Sequence, residues 1–587
     1  MLNFGEGRRS FVHLHDVLDK ILDTRMRSIL LTVLCFGASC FAQLSSVDAY
    51  LKTQDPVSKA GLLANIGPDG AKASGAKAGV VIASPSTHDP DYLYTWTRDA
   101  ALVVKTLLQE FTTGQDTSLR GTIDNYVAAQ AVLQQVTNPS GTVSTGGLGE
   151  PKFNINLTTF TEPWGRPQRD GPALRATTLI QYAKWLIAND NTSYVTDKVW
   201  PVIKLDLDYV AANWNQTGFD LWEEISSSSF FTTAVQLRTL KEGAALAQKL
   251  GQSAADYDKQ IPNVYCFLQS YWNPTDNYVT SNTGGSRSGK DANSIIASIY
   301  NFDASVGCDA TTFQPCSDKA LANHKAYVDS FRSIYTINNG IAPNTAVATG
   351  RYPEDVYYSG NPWYLTTFAA AEQLYDALIA WERLGELNVT PTSLPFFQQF
   401  SPSVTIGTFS VSSSIRSYAD GFIAVAAKYT PKDGSLAEQY NKDTGIPLSA
   451  KDLTWSYAAL LTASAARHGF VQDSWGASEL SLPETCSGNS GNIIQAIFNV
   501  NAMTVFGENI YITGSIDALS NWSTDNALRL SSKNYPIWSI ALNLPVNTQF
   551  EYKYIRKSNG AVTWESDPNR SSTTPGFGSY TLNDTWR

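Results

Sequence analysis

Five histidines in 587 residues are few, and they are widely spaced. Beyond residue 42 only His88, His324 and His468 remain, so a zinc centre or a Ser-His-Asp triad lacks its parts. No cofactor and no metal are expected. Positive charge is also short: 43 Lys and Arg stand against 53 Asp and Glu, a net charge of -10, which argues against a nucleic-acid partner. The apolar run after Met26, MRSILLTVLCFGASCFAQ, is too short to span a bilayer. With Arg25 and Arg27 before it and small residues before Gln43, it reads as a secretory signal over 26–42, a signal anchor being the alternative. Residues 1–25 then form an upstream extension, and the mature chain is expected outside the cell with no membrane attachment.

Cysteine is scarce, six in all, and removal of the signal leaves Cys266, Cys308, Cys316 and Cys486. An even number suits an oxidising compartment. Three pairings are possible; Cys308 with Cys316 closes a small loop, which would leave Cys266 with Cys486 as a long-range staple. Sequons at Asn156, Asn191, Asn215, Asn388, Asn521, Asn569 and Asn583 fit a secreted glycoprotein.

Aromatic residues, by contrast, are plentiful: 15 Trp, 28 Tyr and 25 Phe. They can be plain core, yet they also suit a sugar ligand, because a pyranose presents apolar faces for stacking and a rim of hydroxyls for hydrogen bonding. The segment Phe550–Arg570, FEYKYIRKSNGAVTWESDPNR, alternates like a strand pair. It sets Trp564 beside Lys553 and Asn569, the flat surface and the donors a saccharide needs.

Apolar recurrence at three and four residues marks about twelve helices between Ser46 and His468. They are expected to begin near Val47, Asp99, Ser118, Pro172, Thr192, Phe230, Ser253, Asp291, Ser317, Pro362, Ser412 and Asp452. After His468 the chain turns polar and loses periodicity, and from Ile493 short β-rich runs follow. The resulting division is 43–468 mostly helical, 469–492 a short linker, and 493–587 all β.

Two segments join aromatics to carboxylates, FDLWEEISSSSFFT (Phe219–Thr232) and DGSLAEQYNKDTG (Asp433–Gly445). Glycoside hydrolysis needs such a pair, one acid to protonate the leaving oxygen and one carboxylate to attack or to activate water. Each segment alone could be a solvated loop; Trp222 beside Glu223 and Glu224 favours chemistry, since an apolar wall raises a carboxyl pKa. DYLYTWTRDA, WGRPQRDGPALRA, GRYPEDVYYSGNPWYL and LTWSYAALLTA each add an aromatic beside Arg, Asp or a polar neighbour. GGSRSGKD (Gly284–Asp291) nearly spells a phosphate-binding loop, but Asp stands where Ser or Thr would bind magnesium, so it reads as a flexible loop.

In order along the chain, these motifs and STGGLGEPKFN (Ser144–Asn154) resemble the catalytic domain of glycoside hydrolase family 15, the fungal glucoamylases. The resemblance runs from about residue 45 to 468. The last 90 or so residues, with GENIYITGS, Asn521-Trp522 and the closing DTWR, resemble carbohydrate-binding module family 20. It implies an (α/α)6 toroid followed by a β-sandwich, and an inverting exo-hydrolase that frees β-glucose from non-reducing ends of starch and malto-oligosaccharides. Glu223 would be the general acid and Glu438 the general base. Arg98, Asp99, Trp222, Arg351 and Trp455 would hold the terminal glucose; Tyr92, Trp164, Glu224, Tyr357 and Trp363 would shape the pocket and the next position.

On the module, the resemblance implies one starch site from Trp522, Lys553, Trp564, Glu565 and Asn569, and a second from Tyr535 and Trp538. Phe506 replaces a frequent tyrosine there, the loop between Leu530 and Trp538 is shorter, and Ser226 replaces a frequent asparagine near the second glucose. A monomer is expected. The competing readings are a starch-binding protein without activity and an α-1,6-preferring hydrolase.

Overall fold

In a computed structural model the described residues are 46–285, 287–409, 413–483, 486, 493–505, 507–545, 548–558, 560–575 and 580–587. The upstream extension, the signal segment and Phe506 lie outside them. The chain divides into two compact units, Met1–Thr53 and Gln54–Arg587. Residues 46–53 of the first are helical, and the helix continues to residue 64 (α1, 46–64).

Within the described residues eleven further helices of nine or more residues follow. They are α2 (Thr97–Thr112), α3 (Arg120–Gln135), α4 (Asp170–Ala188), α5 (Trp200–Asn213), α6 (Phe230–Lys249), α7 (Ala255–Gln269), α8 (Ala292–Tyr300), α9 (Asp318–Ser330), α10 (Tyr364–Leu384), α11 (Ser413–Tyr429) and α12 (Thr454–Arg467). Described helix begins within two residues of each of the twelve expected starts. At Thr192 a short helix, Thr192–Tyr194, and one turn of π-helix run directly into α5. Two side chains show why some starts were legible: Asp291 caps α8 by accepting from Asn293 N, and Ser317 caps α9 by accepting from Ala320 N.

Burial sorts the helices into two layers. All nine residues of α8 and 18 of the 21 in α10 are buried, as befits helices covered on every side. Helix α3 buries only seven of 16, one face against the layer within. Helices α2, α4, α6, α8, α10 and α12 pack in sequence, and α12 closes on α2, giving an inner ring of six. The outer helices lie on it: Arg175 of α4 makes a two-pronged ion pair with Asp206 of α5 at 2.6 and 2.8 Å, and Gly61 of α1 lies against the ring of Tyr457. This is an (α/α)6 toroid.

Described residues of the segment expected as a short linker pack onto the helices. Trp475 is buried, Ser474 donates to Asp303 at 2.9 Å, and Lys241 pairs with Glu479 at 3.0 Å. Both disulfides, Cys266–Cys486 and Cys308–Cys316, are formed.

The remainder is a two-sheet sandwich built from β1 (Ile493–Asn501), β2 (Asn509–Gly514), β3 (Leu528–Arg529), β4 (Ser531–Asn534), β5 (Ile537–Pro545), β6 (Gln549–Ser558), β7 (Ala561–Trp564), β8 (Arg570–Thr573) and β9 (Tyr580–Thr585). One sheet runs β4-β5-β1-β9, with β1 and β9 parallel; the other runs β3-β2-β6-β7, with β8 also on β6. Along β6 the period of two sends Phe550, Tyr552 and Tyr554 into the core beside Phe498 and Ile512. Glu551 and Lys553 consequently serve the other face.

Candidate active site

The segments preceding, or opening, the six inner helices meet at one end of the ring. Arg98 and Asp99 lie in the first turn of α2, Trp164 precedes α4, and the Trp222–Glu224 turn precedes α6. Asp291 precedes α8, the Arg351–Trp363 segment precedes α10, and Glu438 with Trp455 flank the start of α12. They enclose a cavity of about 660 Å³ lined by Tyr92, Arg98, Asp99, Trp164, Trp222, Glu223, Glu224, Arg351, Tyr357, Trp363, Glu438 and Trp455. The structure thus brings together every pocket residue expected from sequence. Ser226 is not among the lining residues; it is exposed in the short Gly218–Phe219/Ser226–Ser227 hairpin whose turn carries the glutamates.

Glu223 occupies the left-handed backbone region, φ 66°, which turns it away from Glu224. Its Oε1 accepts from Trp96 Nε1 at 2.7 Å and Gln168 Nε2 at 2.9 Å, with Arg98 Nη2 at 3.6 Å. Gln168 in turn accepts from Arg98 Nη1 at 2.7 Å, and the same nitrogen reaches Asp170 at 3.0 Å. Burial pushes Asp99 up to about 6 against the pull of Arg98.

Glu224 is held quite differently. Arg351 lies 3.0 Å from it, and Arg287 and the Tyr352 hydroxyl bond its other oxygen. Burial acts to raise its pKa, but these partners outweigh burial and hold the carboxyl below its ordinary value. A carboxylate so tied is a poor proton donor. Arg351 also grips Asp355 through Nε and Nη2, at 2.8 and 2.7 Å, and its guanidinium sits 5.1 Å from the rings of Tyr357 and Trp363.

Glu438 is 1 % exposed, and its Oε2 accepts from Gln439 Nε2 at 2.9 Å and from the Ser449 hydroxyl. Burial raises its pKa; the Ser449 and Gln439 hydrogen bonds oppose that rise. The pocket walls are stacked aromatics: Trp222 lies 6.5 Å from Trp455 at 24°, and its indole N–H donates to Asp291 at 2.8 Å. Tyr92 and Tyr357 join through their hydroxyls at 3.0 Å.

Among the contributors not assigned from sequence are Gln168, Lys152 and Arg287. Gln168 stands in the quoted WGRPQRD motif, but only the fold shows it reaching Glu223. Lys152 is buried within a cage of Tyr94, Trp96, Phe160 and Trp164, its ammonium 3.7 Å from the Trp164 centroid, and burial lowers its pKa to about 8. Arg287 belongs to the GGSRSGKD segment, whose described residues form a loop as expected, and it reaches Glu224.

On the sandwich, Trp522 and the 40 % exposed Trp564 lie 6.4 Å apart at 46°, an open aromatic surface. Lys553 bonds Asp567 at 2.5 Å beside them, and Asn569 donates to Glu551 at 2.9 Å. Glu565 departs from the expectation: it is 2 % exposed and pairs with Arg570 at 2.8 Å, so it supports the surface from beneath rather than meeting a sugar. Trp538 departs likewise. It is buried in the core with its indole donating to Ala502 O at 3.1 Å, which leaves Tyr535, half exposed, as the open aromatic of that pair.

Comparison with known proteins agrees with this division. The family described as glycosyl hydrolases family 15 matches residues 56–465, and the starch binding domain family matches 493–584. "Glucoamylase-1" of Schizophyllum commune is 60 % identical over 559 residues, covering 93 % of this chain and 97 % of that protein. Among solved structures, a family 15 glucoamylase from Hypocrea jecorina is 49 % identical with a TM-score of 0.74, covering 92 % of this chain and all of that one. The Hormoconis resinae glucoamylase is 45 % identical with a TM-score of 0.73, covering 92 % and 98 %. The chain therefore belongs to glycosyl hydrolase family 15 and carries a starch binding domain behind its catalytic toroid.

Proposed function

We propose that this chain, a glucan 1,4-α-glucosidase by family, is a secreted inverting enzyme that releases β-glucose from the non-reducing ends of starch and malto-oligosaccharides. The observation that supports this most is the placing of Glu223 and Glu438 in the wall of one cavity whose other sides are aromatic or arginine-bearing. α-1,6 links would be cut more slowly, as the resemblance implies.

In the proposed mechanism Arg98, Asp99 and Arg351 orient the hydroxyls of the terminal glucose while Trp222 and Trp455 flank it. Glu223 keeps Oε1 in the grip of Trp96 and Gln168, so Oε2 carries the proton delivered to the glycosidic oxygen. Glu438 keeps Oε2 on Ser449 and Gln439, leaving Oε1 to take a proton from the attacking water. Attack by water opposite the departing oxygen turns an α-linkage into β-glucose. Glu224, held ionised by arginine, is suited to a hydroxyl of the second sugar.

The proposed domains are a catalytic part over 43–468, a connection over 469–492 and a starch-binding part over 493–587. Secretion is supported by the signal-like 26–42 segment and the two disulfides. No helix among the described residues is long and apolar enough to cross a membrane. Hydrolysis of maltoheptaose labelled at its reducing end tests exo action: glucose and labelled maltohexaose should be the first products. Early labelled fragments of every length would overturn it, and no product would favour a binding protein.

A further inference from the structure

We infer that Arg287, outside the pocket lining, is a positioning residue that aims Glu224 at the second sugar and so governs how well an oligosaccharide is held past the cleavage point. This deepens the glucosidase reading above and rests on it. The guanidinium lies 3.5 Å from the centroid of the Tyr352 ring, the tyrosine whose hydroxyl also bonds Glu224. From that stack Nη2 pairs with Glu224 Oε2, and Nη1 stands 3.7 Å from Asp220 Oδ2.

Asp220 makes the arrangement more than a single ion pair. Its Oδ1 accepts from the backbone N–H of Glu224 at 3.0 Å and of Ile225 at 3.2 Å. Arg287 therefore touches the side chain of Glu224 directly and its backbone through Asp220. The segment bearing Arg287 is itself fastened to the segment that carries Arg351 and Tyr352, Ser288 N donating to Glu354 at 2.8 Å. Glu223, one residue earlier, points elsewhere and is held by Trp96 and Gln168, neither of which touches Arg287. Loss of Arg287 should accordingly disturb Glu224 while leaving the acid in place. Lysine cannot substitute, because a point charge neither stacks on Tyr352 nor forks between two carboxylates.

The test compares maltose with α-glucosyl fluoride, which offers a terminal glucose and no second sugar, using the full chain. Arg287→Lys should lower kcat/KM for maltose at least tenfold, mainly through KM, and for the fluoride no more than about threefold. Tyr352→Phe, which keeps the ring and removes the hydroxyl, should show the same split in smaller measure and serves if the arginine variant does not fold. Equal losses on both substrates, or a maltose loss below threefold in both variants, would overturn the inference. A wild-type chain that hydrolyses neither substrate would instead overturn the glucosidase reading on which it rests.

Discussion

The toroid pocket and the sandwich surface use the same materials, tryptophans beside polar groups, yet they differ in enclosure. Trp222 is 7 % exposed and walled by other aromatics, while Trp564 is 40 % exposed on a strand edge. In the pocket the catalytic and sugar-facing charges are fixed by second groups, as Gln168 fixes Glu223 and Asp355 fixes Arg351. Such rigidity suits chemistry, which needs a proton at one stated atom. On the sandwich Lys553 and Glu565 are buried beneath an open pair of rings, Trp522 and Trp564, an arrangement suited to holding a sugar without acting on any bond.

The comparison can be broken most forcefully at the carboxylates. Glu223→Gln and Glu438→Gln should each lower kcat on maltose by about a hundredfold to ten-thousandfold, with adsorption to starch granules unchanged. Wild-type turnover in either variant would remove that residue from the mechanism. Next in size, Glu224→Gln should cost about tenfold to a hundredfold in kcat/KM on maltose, because an ion-paired carboxylate is lost without loss of the proton donor. A smaller and opposite result is expected on the sandwich. Trp564→Ala should weaken granule adsorption about tenfold, equivalent to about 1.4 kcal/mol, while maltose kinetics stay the same. A parallel fall in both would mean that the two regions are not separable.

The smallest effect concerns pH. Burial already raises Glu438, and the Ser449 hydroxyl stabilises its ionised form. Ser449→Ala removes that hydrogen bond, so the pKa should move further up and the acid limb of kcat/KM against pH should shift to higher pH. A shift to lower pH would show that Glu438 is not the group that must be ionised.

Much of this was legible in the chain because periodicity reports burial. The inner helices α8 and α10 are buried on nearly every side and mostly apolar, and the outer α3 is buried on one face, so both layers left a pattern in the sequence. The pocket residues were legible for another reason: they cluster in short aromatic and charged runs just before the inner helices. Neighbours brought from distant segments were not. Nothing in GGSRSGKD says that Arg287 crosses 63 positions to meet Glu224, and nothing in the strand pattern shows that Glu565 turns inward to Arg570. Trp538 was misjudged because an aromatic on an alternating strand belongs to whichever face the register selects, and β5 pairs with β1 so that this ring falls inside.

The central claim is that Glu223 and Glu438 act from opposite sides of one bound glucose. Time-resolved proton NMR of maltoheptaose hydrolysis, read before mutarotation, tests it directly. Glucose appearing first as the β-anomer is the predicted result; glucose appearing first as the α-anomer would contradict it.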